Sequence, residues 1–399
     1  MVATSVLVTL VVASMASLFM AWAIGAGSSG STPFAPAVGA NAISVMRAGF
    51  FVGILGLAGA VLQGANVTET VGSGLVLFPD GGGLSAAASI VALVTAAVLV
   101  AVGIFTGYPI ATAFTVTGAV VGVGLAMGGQ PAVAKYTQIA ALWVAVPFVG
   151  SGMSYALAWS LRHERVPERL LVPGLAGLVG AVLANVEFVL LAPGDEQASV
   201  ARAAARALGA AGTPTMVAIT LAVAAVAAGL LYRDVAVDPA AGQRHFLLVL
   251  GGLVAFSAGG SQVGLALGPL LPVLGEGPMA GVPITGVLLF GGVGLLVGSW
   301  TGAPRMIKTL AQDYSSLGPR RSIAALIPSF VVAQTAVFFG IPVSFNEIIV
   351  SAIIGSGAAA GDGEVSGAKM GKTVLAWIGS LVLAFALSFG LFRAVDALL

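Results

Sequence analysis

The sequence predicts an all-α polytopic membrane protein with about 12 transmembrane segments in two inverted-topology repeats, some of its helices broken or re-entrant. Three observations lead there. Of 399 residues, 58% are hydrophobic and only 8% charged, against about 25% charged in an ordinary soluble domain, and the mean hydropathy is +1.07. Apolar runs recur at roughly the 20 residues a helix needs to cross a bilayer. Short motifs of the first third return in the last third at a constant offset of 233.

Composition also excludes whole classes. Lys+Arg 16 against Asp+Glu 15 leaves a net charge of +1, which offers no basic field to nucleic acid. The absence of cysteine rules out disulfides, thiolate metal sites and Cys nucleophiles. Fifty-six glycines with 7% aromatics suit closely packed helices rather than a β-barrel. Residues Val2 to Ala26 are apolar with no Lys or Arg before them, so they predict a retained first span rather than a cleaved signal.

Polar breaks divide the chain into segments at about 4–25, 42–63, 85–106, 108–129, 137–161, 170–192, 213–232, 245–260, 279–300, 321–339, 341–358 and 370–396. Those from Gly107 and Gly340 open with Gly-x-Pro, so each either spans or re-enters. Arg162, Arg165 and Arg169; Arg233 and Arg244; Arg305, Lys308, Arg320 and Arg321; and Lys369 and Lys372 fall in four loops that share one side if all segments cross. The positive-inside rule makes that side cytoplasmic and both termini external. Arg202 and Arg206, in the outer loop 193–212, are the exceptions, and their Ala/Arg stretch reads as a surface helix.

The repeat pairs Gly27-Ser28 with Gly260-Ser261, Phe34 with Leu267, Gly107-Tyr-Pro-Ile110 with Gly340-Ile-Pro-Val343, and Gly122-Val-Gly124 with Gly355-Ser-Gly357. Gly118 and Gly122 correspond to Ser351 and Gly355, and Trp143 falls one residue from register with Trp377. Residues 1–161 form the first repeat, 162–244 the linking spans and 245–399 the second. Seven crossings between the repeat starts make them antiparallel, an architecture of secondary transporters whose substrates sit where broken helices meet.

The chemistry concentrates in those breaks. Gly25-Ala-Gly-Ser-Ser-Gly-Ser-Thr-Pro33 interrupts the first apolar run. Its glycines free the backbone, Pro33 removes a donor, and hydroxyls beside a helix N-terminus suit an anion. Ser28, Ser29, Ser31 and Thr32 are the candidates there, and Ser261 and Gln262 are their counterparts in a second break at 259–262. Thr112, Ser344 and Asn346 add neutral polar groups from the Gly-x-Pro segments. Glu347 is a carboxylate in an apolar run, which is costly and usually functional. Glu69 reads as a solvated loop charge and Glu187 as interfacial. His163 and His245 read as solvated, and Trp22, Trp143 and Trp377 as packing or interface anchors.

In order and repetition these motifs resemble the PiT family of inorganic phosphate transporters. That pattern has Gly-Ala-Asn-Asp-Val-Ala-Asn-Ala-Phe-Gly in both repeats, followed by Gly-x-Arg-Val-x-x-Thr-Ile and Gly-x-Pro-Val-Ser-Thr-Thr-His. Residues 26–35 and 259–269 occupy the two signatures, followed by Gly64-Ala-Asn-Val-Thr-Glu-Thr-Val71 and Gly107-Tyr-Pro-Ile-Ala-Thr-Ala-Phe114. The resemblance covers nearly the whole chain, least in 162–245. Ser29 and Gln262 stand where the family has its signature Asp, and Phe114 and Glu347 stand at the His positions. The resemblance implies oxyanion transport. Loss of both Asp residues puts sodium coordination in doubt and is similar to the sulfate-permease branch.

The expectation is a secondary active transporter that imports phosphate or sulfate across the plasma membrane by cation symport with alternating access. It has no cofactor. Its coupling cation is H+, with Na+ the alternative, carried first by Glu347 and second by Glu69. Its partners are phosphate or sulfate, the lipid bilayer and at most a second copy in a homodimer. An anion channel is the alternative. An intramembrane enzyme is the weakest reading, because the spans hold no His, no His-Glu-x-x-His and no Cys.

Overall fold

The computed structural model describes residues 4–79, 81–163, 167–191, 197–275, 281–313, 317–359, 361 and 367–398. In chain order α1 is Thr4–Ile24, α2 Ala35–Gly39, α3 Val45–Gln63, α4 Ala65–Ser73, α5 Ala86–Thr106, α6 Thr112–Ala126, α7 Val133–Arg162, α8 Glu168–Asn185 and α9 Val200–Ala207. There follow α10 Thr213–Val237, α11 Pro239–Leu267, α12 Leu271–Gly275, α13 Ile284–Thr301, α14 Ala303–Asp313, α15 Pro319–Phe338, α16 Phe345–Ala358 and α17 Gly367–Asp396. The strands β1 Val76–Leu77, β2 Gln130–Pro131, β3 Glu187–Phe188 and β4 Ala198–Ser199 pair antiparallel, β1 with β2 and β3 with β4.

Among the described residues ten helices are long and apolar enough to cross a membrane, whereas α6 and α16 are shorter. Helix α7, at 30 residues about 45 Å long, shows what the short pair does. At its start β2 pairs with β1, Val76 opposite Pro131. This closes the open end of the α5–α6 hairpin. At its other end the Arg162 guanidinium donates to Ala359 O at 3.2 Å, directly after α16, so the α15–α16 hairpin opens there. The hairpins therefore enter from opposite ends. Their tips meet where Asn346 Nδ2 donates to Ile110 O at 2.7 Å.

Each hairpin leans on the long helix that follows the other hairpin, α15–α16 on α7 and α5–α6 on α17. Trp143 Nε1–H donates to Pro342 O at 2.8 Å and Trp377 Nε1–H to Pro109 O at 3.0 Å. Ser154 Oγ donates to Ala352 O at 2.6 Å and Ser388 Oγ to Ala119 O at 2.9 Å. Both tryptophans are buried, so their indoles anchor hairpin tips rather than a membrane interface.

The basic loops gather at the α15–α16 end. Arg320 pairs with Glu168 at 2.7 Å, and Arg244 Nε donates to Ala42 O at 3.0 Å. Arg165 and the Lys369 side chain fall outside the described residues. His163 is exposed; His245 is exposed as well and meets Asp234 at 2.7 Å. Trp22 donates to Thr301 Oγ1 at 2.9 Å. Helix α9 is the expected Ala/Arg helix of the opposite end, and residues 193–196 of that loop lie outside the described residues.

One expectation fails. Residues 259–262 do not break; α11 runs through them to Leu267, and the turn comes at Gly268–Leu270, where Pro269 removes a donor. Gly259 and its neighbours serve contact instead. A Cβ on Gly259 would overlap the Gly56 carbonyl, and one on Gly59 the Phe256 carbonyl, so α3 and α11 touch backbone to backbone. Such small-residue contacts drive helix association in lipid. Gly259→Ala should therefore destabilise the purified protein by about 1–3 kcal/mol, read as a lower melting temperature. Gly229→Ala, where an added Cβ meets nothing within 4 Å, should raise stability by up to about 1 kcal/mol.

Candidate functional site

The site is made by three local breaks and one unbroken helix. Helix α1 ends in a π-turn over Gly25–Ser29 and then turns through to Phe34, all of it buried. Glycine is required here: a Cβ on Gly25 would overlap the Leu295 carbonyl, and one on Gly30 the Gly25 carbonyl. The hairpin tips begin at Gly107 and Gly340, with φ of 76° and 59°, which favour glycine. The prolines at 109 and 342 keep each tip from continuing as helix until α6 starts at Thr112 and α16 at Phe345.

These pieces are tied together by side-chain amides. Gln262 on α11 accepts at Oε1 from Thr112 Oγ1 (2.7 Å) and Ser28 Oγ (3.2 Å), and its Nε2 donates to Val343 O. Asn346 Nδ2 donates to Gly27 O at 3.0 Å as well as to Ile110 O. Two carbonyl partners fix that amide's orientation, so Asn346 Oδ1 points elsewhere.

Ser28, Ser29, Ser31, Thr32, Thr112, Ser261, Gln262, Ser344, Asn346 and Glu347 are all buried. Their hydrogen bonds divide them. Ser31 Oγ and Thr32 Oγ1 donate back to Ser28 O at 3.2 and 3.0 Å, and Ser29 Oγ to Ile24 O at 3.4 Å. Those three hydroxyl protons serve the break itself. Ser261 Oγ, Ser344 Oγ, Asn346 Oδ1 and Glu347 Oε2 are buried with no hydrogen-bond partner. Buried polar groups are nearly always paired, and each exception points to strain, function or an unseen partner. Glu69 is not brought to the cluster. It lies exposed on α4, a short helix that buries Val67, Thr68, Thr70 and Val71 instead. Glu187 is half-buried and pairs with Arg202 at 3.3 Å.

Sequence reasoning missed a second amide set. Gln63 Nε2 donates to Glu187 O (2.8 Å), and Gln334 Nε2 donates to Gln63 Oε1 (3.2 Å) and Ser257 Oγ (2.6 Å). All three side chains are buried. The signal was an amide alone in an apolar helix, which no motif flags.

The arrangement can hold an anion on neutral donors, since the buried set contains no Lys, Arg or His among the described residues. The model of the phosphate transporter family matches residues 24–388. This chain belongs to that family. Its members are transporters rather than enzymes, and the chain is a multi-pass membrane protein. A relative from Thermococcus kodakarensis that bears a phosphate permease name is 27% identical over 395 residues, 94% of each chain. The chloroplastic inorganic phosphate transporter 2-1 of Arabidopsis thaliana is 26% identical, covering 90% of this chain and 68% of its own. A solved structure of a sodium-dependent phosphate transporter has the same fold, with a TM-score of 0.82, 21% identity, and coverage of 98% of this chain and 100% of that one.

Gln262→Leu roughly keeps the volume but removes the acceptor shared by Ser28 and Thr112, leaving them only each other at 3.4 Å, and removes the donor to Val343 O. A buried group left bare costs about 1–3 kcal/mol. Phosphate uptake by the folded variant should fall about tenfold or more, with folding checked by size-exclusion chromatography. Uptake equal to the unmodified protein would place the working site elsewhere.

Proposed function

We propose that this transporter carries inorganic phosphate through the cluster at the hairpin tips, by proton-coupled alternating access across the plasma membrane. The single observation behind this is the set of four buried, unpartnered polar atoms where α11 meets the α15–α16 tip: Ser261 Oγ on α11, and Ser344 Oγ, Asn346 Oδ1 and Glu347 Oε2 at the tip. Ser261 and Ser344 offer donors to an oxyanion. Asn346 Oδ1 is an acceptor, and only a protonated oxyanion has a proton to give it. Phosphate near neutral pH carries such a proton; sulfate does not. That favours phosphate over the sulfate alternative, even though the two family Asp residues are absent.

A dianion entering a negative-inside cell needs compensating positive charge, about 2.3 kcal/mol per elementary charge per 100 mV. Glu347 is the one buried acidic side chain among the described residues, and it has no ion-pair partner among them. It is the proton carrier in this reading. The solved relative is sodium-dependent by name; Ser29 and Gln262 replace the signature carboxylates here, which argues against the same ion. Glu69, exposed on α4, drops out as second carrier. The repeat reading, and with it the exchange of outward and inward access by the two hairpins, rests on the paired Trp–Pro and Ser–Ala hydrogen bonds, which lie 233 or 234 positions apart.

Proteoliposomes should take up labelled phosphate in response to an imposed pH gradient, and excess sulfate should compete weakly. Glu347→Gln should abolish the response to pH while leaving phosphate binding measurable. Uptake driven by sodium alone at fixed pH and potential would reject the coupling. Stronger competition by sulfate than by arsenate would reject the substrate.

A further inference from the structure

A cavity of about 570 Å³ lies at the end of the bundle opposite the basic loops. Its place follows from the chain: α3 and α8 both start at the basic end, beside Ala42 and at Glu168, and the cavity is lined from their far ends onward. Gln63, Asn66, Asn185, Gln197, Gln334 and Thr335 line it, with Glu187 and the aromatic pair Phe338 and Phe339. Amides and hydroxyls are unexpected in a lipid-facing crevice, where an unmet polar group costs several kcal/mol. They suit a water-filled one.

Three further observations give the cavity a role. Its rim is basic. Arg202 on α9 reaches Glu187 on the cavity wall, and Arg206 stands exposed one turn further along the same face. These two residues are the outer-side exceptions to the positive-inside pattern. Its floor carries a glutamine pair. Gln63 and Gln334 pair across it, and Gln334 donates to Ser257 on α11. Ser257 and Ser261 are four apart on one helix and so share a face about 6 Å apart along the axis, and Ser261 Oγ is an orphan of the tip cluster. The α15–α16 tip also separates the two spaces, with Phe338 and Phe339 on the cavity and Val343 bonded into the cluster.

The geometry points to this cavity as the outer vestibule of the anion path, a second binding place for the oxyanion, closed from the tip cluster by the Gln63–Gln334 amide pair. Arg202 and Arg206 draw anions to the rim, since a charged mouth over low-dielectric walls concentrates counter-ions. The amides hold the anion and its water. Separation of the two glutamines opens the way past Ser257 to Ser261. This rests on the transport reading above, and the test keeps the two apart.

The chain has no cysteine, so single cysteines report without background. Asn185→Cys and Thr335→Cys, with Leu221→Cys on lipid-facing α10 as control, are exposed to an anionic and a cationic methanethiosulfonate in oriented proteoliposomes. The two vestibule cysteines should react about tenfold faster with the anionic reagent than with the cationic one, once each rate is scaled to free thiol. Arg202→Gln/Arg206→Gln should erase that preference. Ser261→Cys should react slowly from this side, and about tenfold faster when Gln334→Ala is added. Equal rates for both reagents, or a preference that survives loss of both arginines, would overturn the vestibule. Unchanged Ser261→Cys reactivity in the Gln334→Ala background, with both variants monodisperse, would overturn the gate. Labelling is read without transport, so a protein that failed to move phosphate would reject the transport reading and still decide this one.

Discussion

Apolar surroundings leave a peptide carbonyl with no water to meet it, and this one constraint organises the centre of the molecule. Inside a bilayer every backbone polar group must be satisfied by protein. The π-turn and the two tips release carbonyls from helical bonding, and side chains from distant segments meet them. Asn346 covers Gly27 and Ile110, Trp377 covers Pro109, Trp143 covers Pro342 and Gln262 covers Val343. Ser28 O is covered at home by Ser31 and Thr32. Each of the other caps joins two stretches of chain that are far apart in sequence. The breaks therefore hold the core together.

Chemistry follows from the same bookkeeping. A side chain that caps a carbonyl spends its donors and leaves its acceptor free, as Asn346 does. A hydroxyl beside a cap but not part of it stays bare, as Ser344 does. The site thus emerges with hydroxyl donors, an amide acceptor and one carboxyl, and, among the described residues, without a cationic side chain. Close packing fixes the hairpins around it. A Cβ on Gly118 would strike the Leu381 carbonyl, and one on Gly355 the Ser151 carbonyl, so α6 lies on α17 and α16 on α7 with backbones touching. In the proposed transport cycle, hairpins seated that tightly would shift as bodies rather than by fraying.

Much of this was legible in the sequence. The apolar runs gave the long helices, and Gly-x-Pro at 107 and 340 marked the tips because Gly and Pro there leave few other conformations. Whether those segments crossed was not legible, since helices of 15 and 14 residues fit a short span or a returning arm equally well, and the Arg162–Ala359 and Val76–Pro131 contacts are what show the two arms opening at opposite ends. Gly259-Gly260 misled because glycine serves both unwinding and close approach; the absence of Pro before 269 was the discriminating sign. Ser31 and Thr32 looked like ligands, and their donors turned out to serve Ser28 O. Glu69 lay in a family-like motif, but its side of α4 faces out. Gln63 and Gln334 carried no motif, and their pairing depends on α3 and α15 meeting in space.

Arsenate has the charge and proton of phosphate and scatters X-rays anomalously, so its position in crystals of the protein tests the account most directly. The account predicts one strong peak enclosed by residues 28–32, Thr112, Ser261, Gln262 and 344–347, within hydrogen-bond distance of Ser344 Oγ and Asn346 Oδ1. A cluster left empty at saturating arsenate, or a strong peak only among the loop arginines at the basic end, would contradict it.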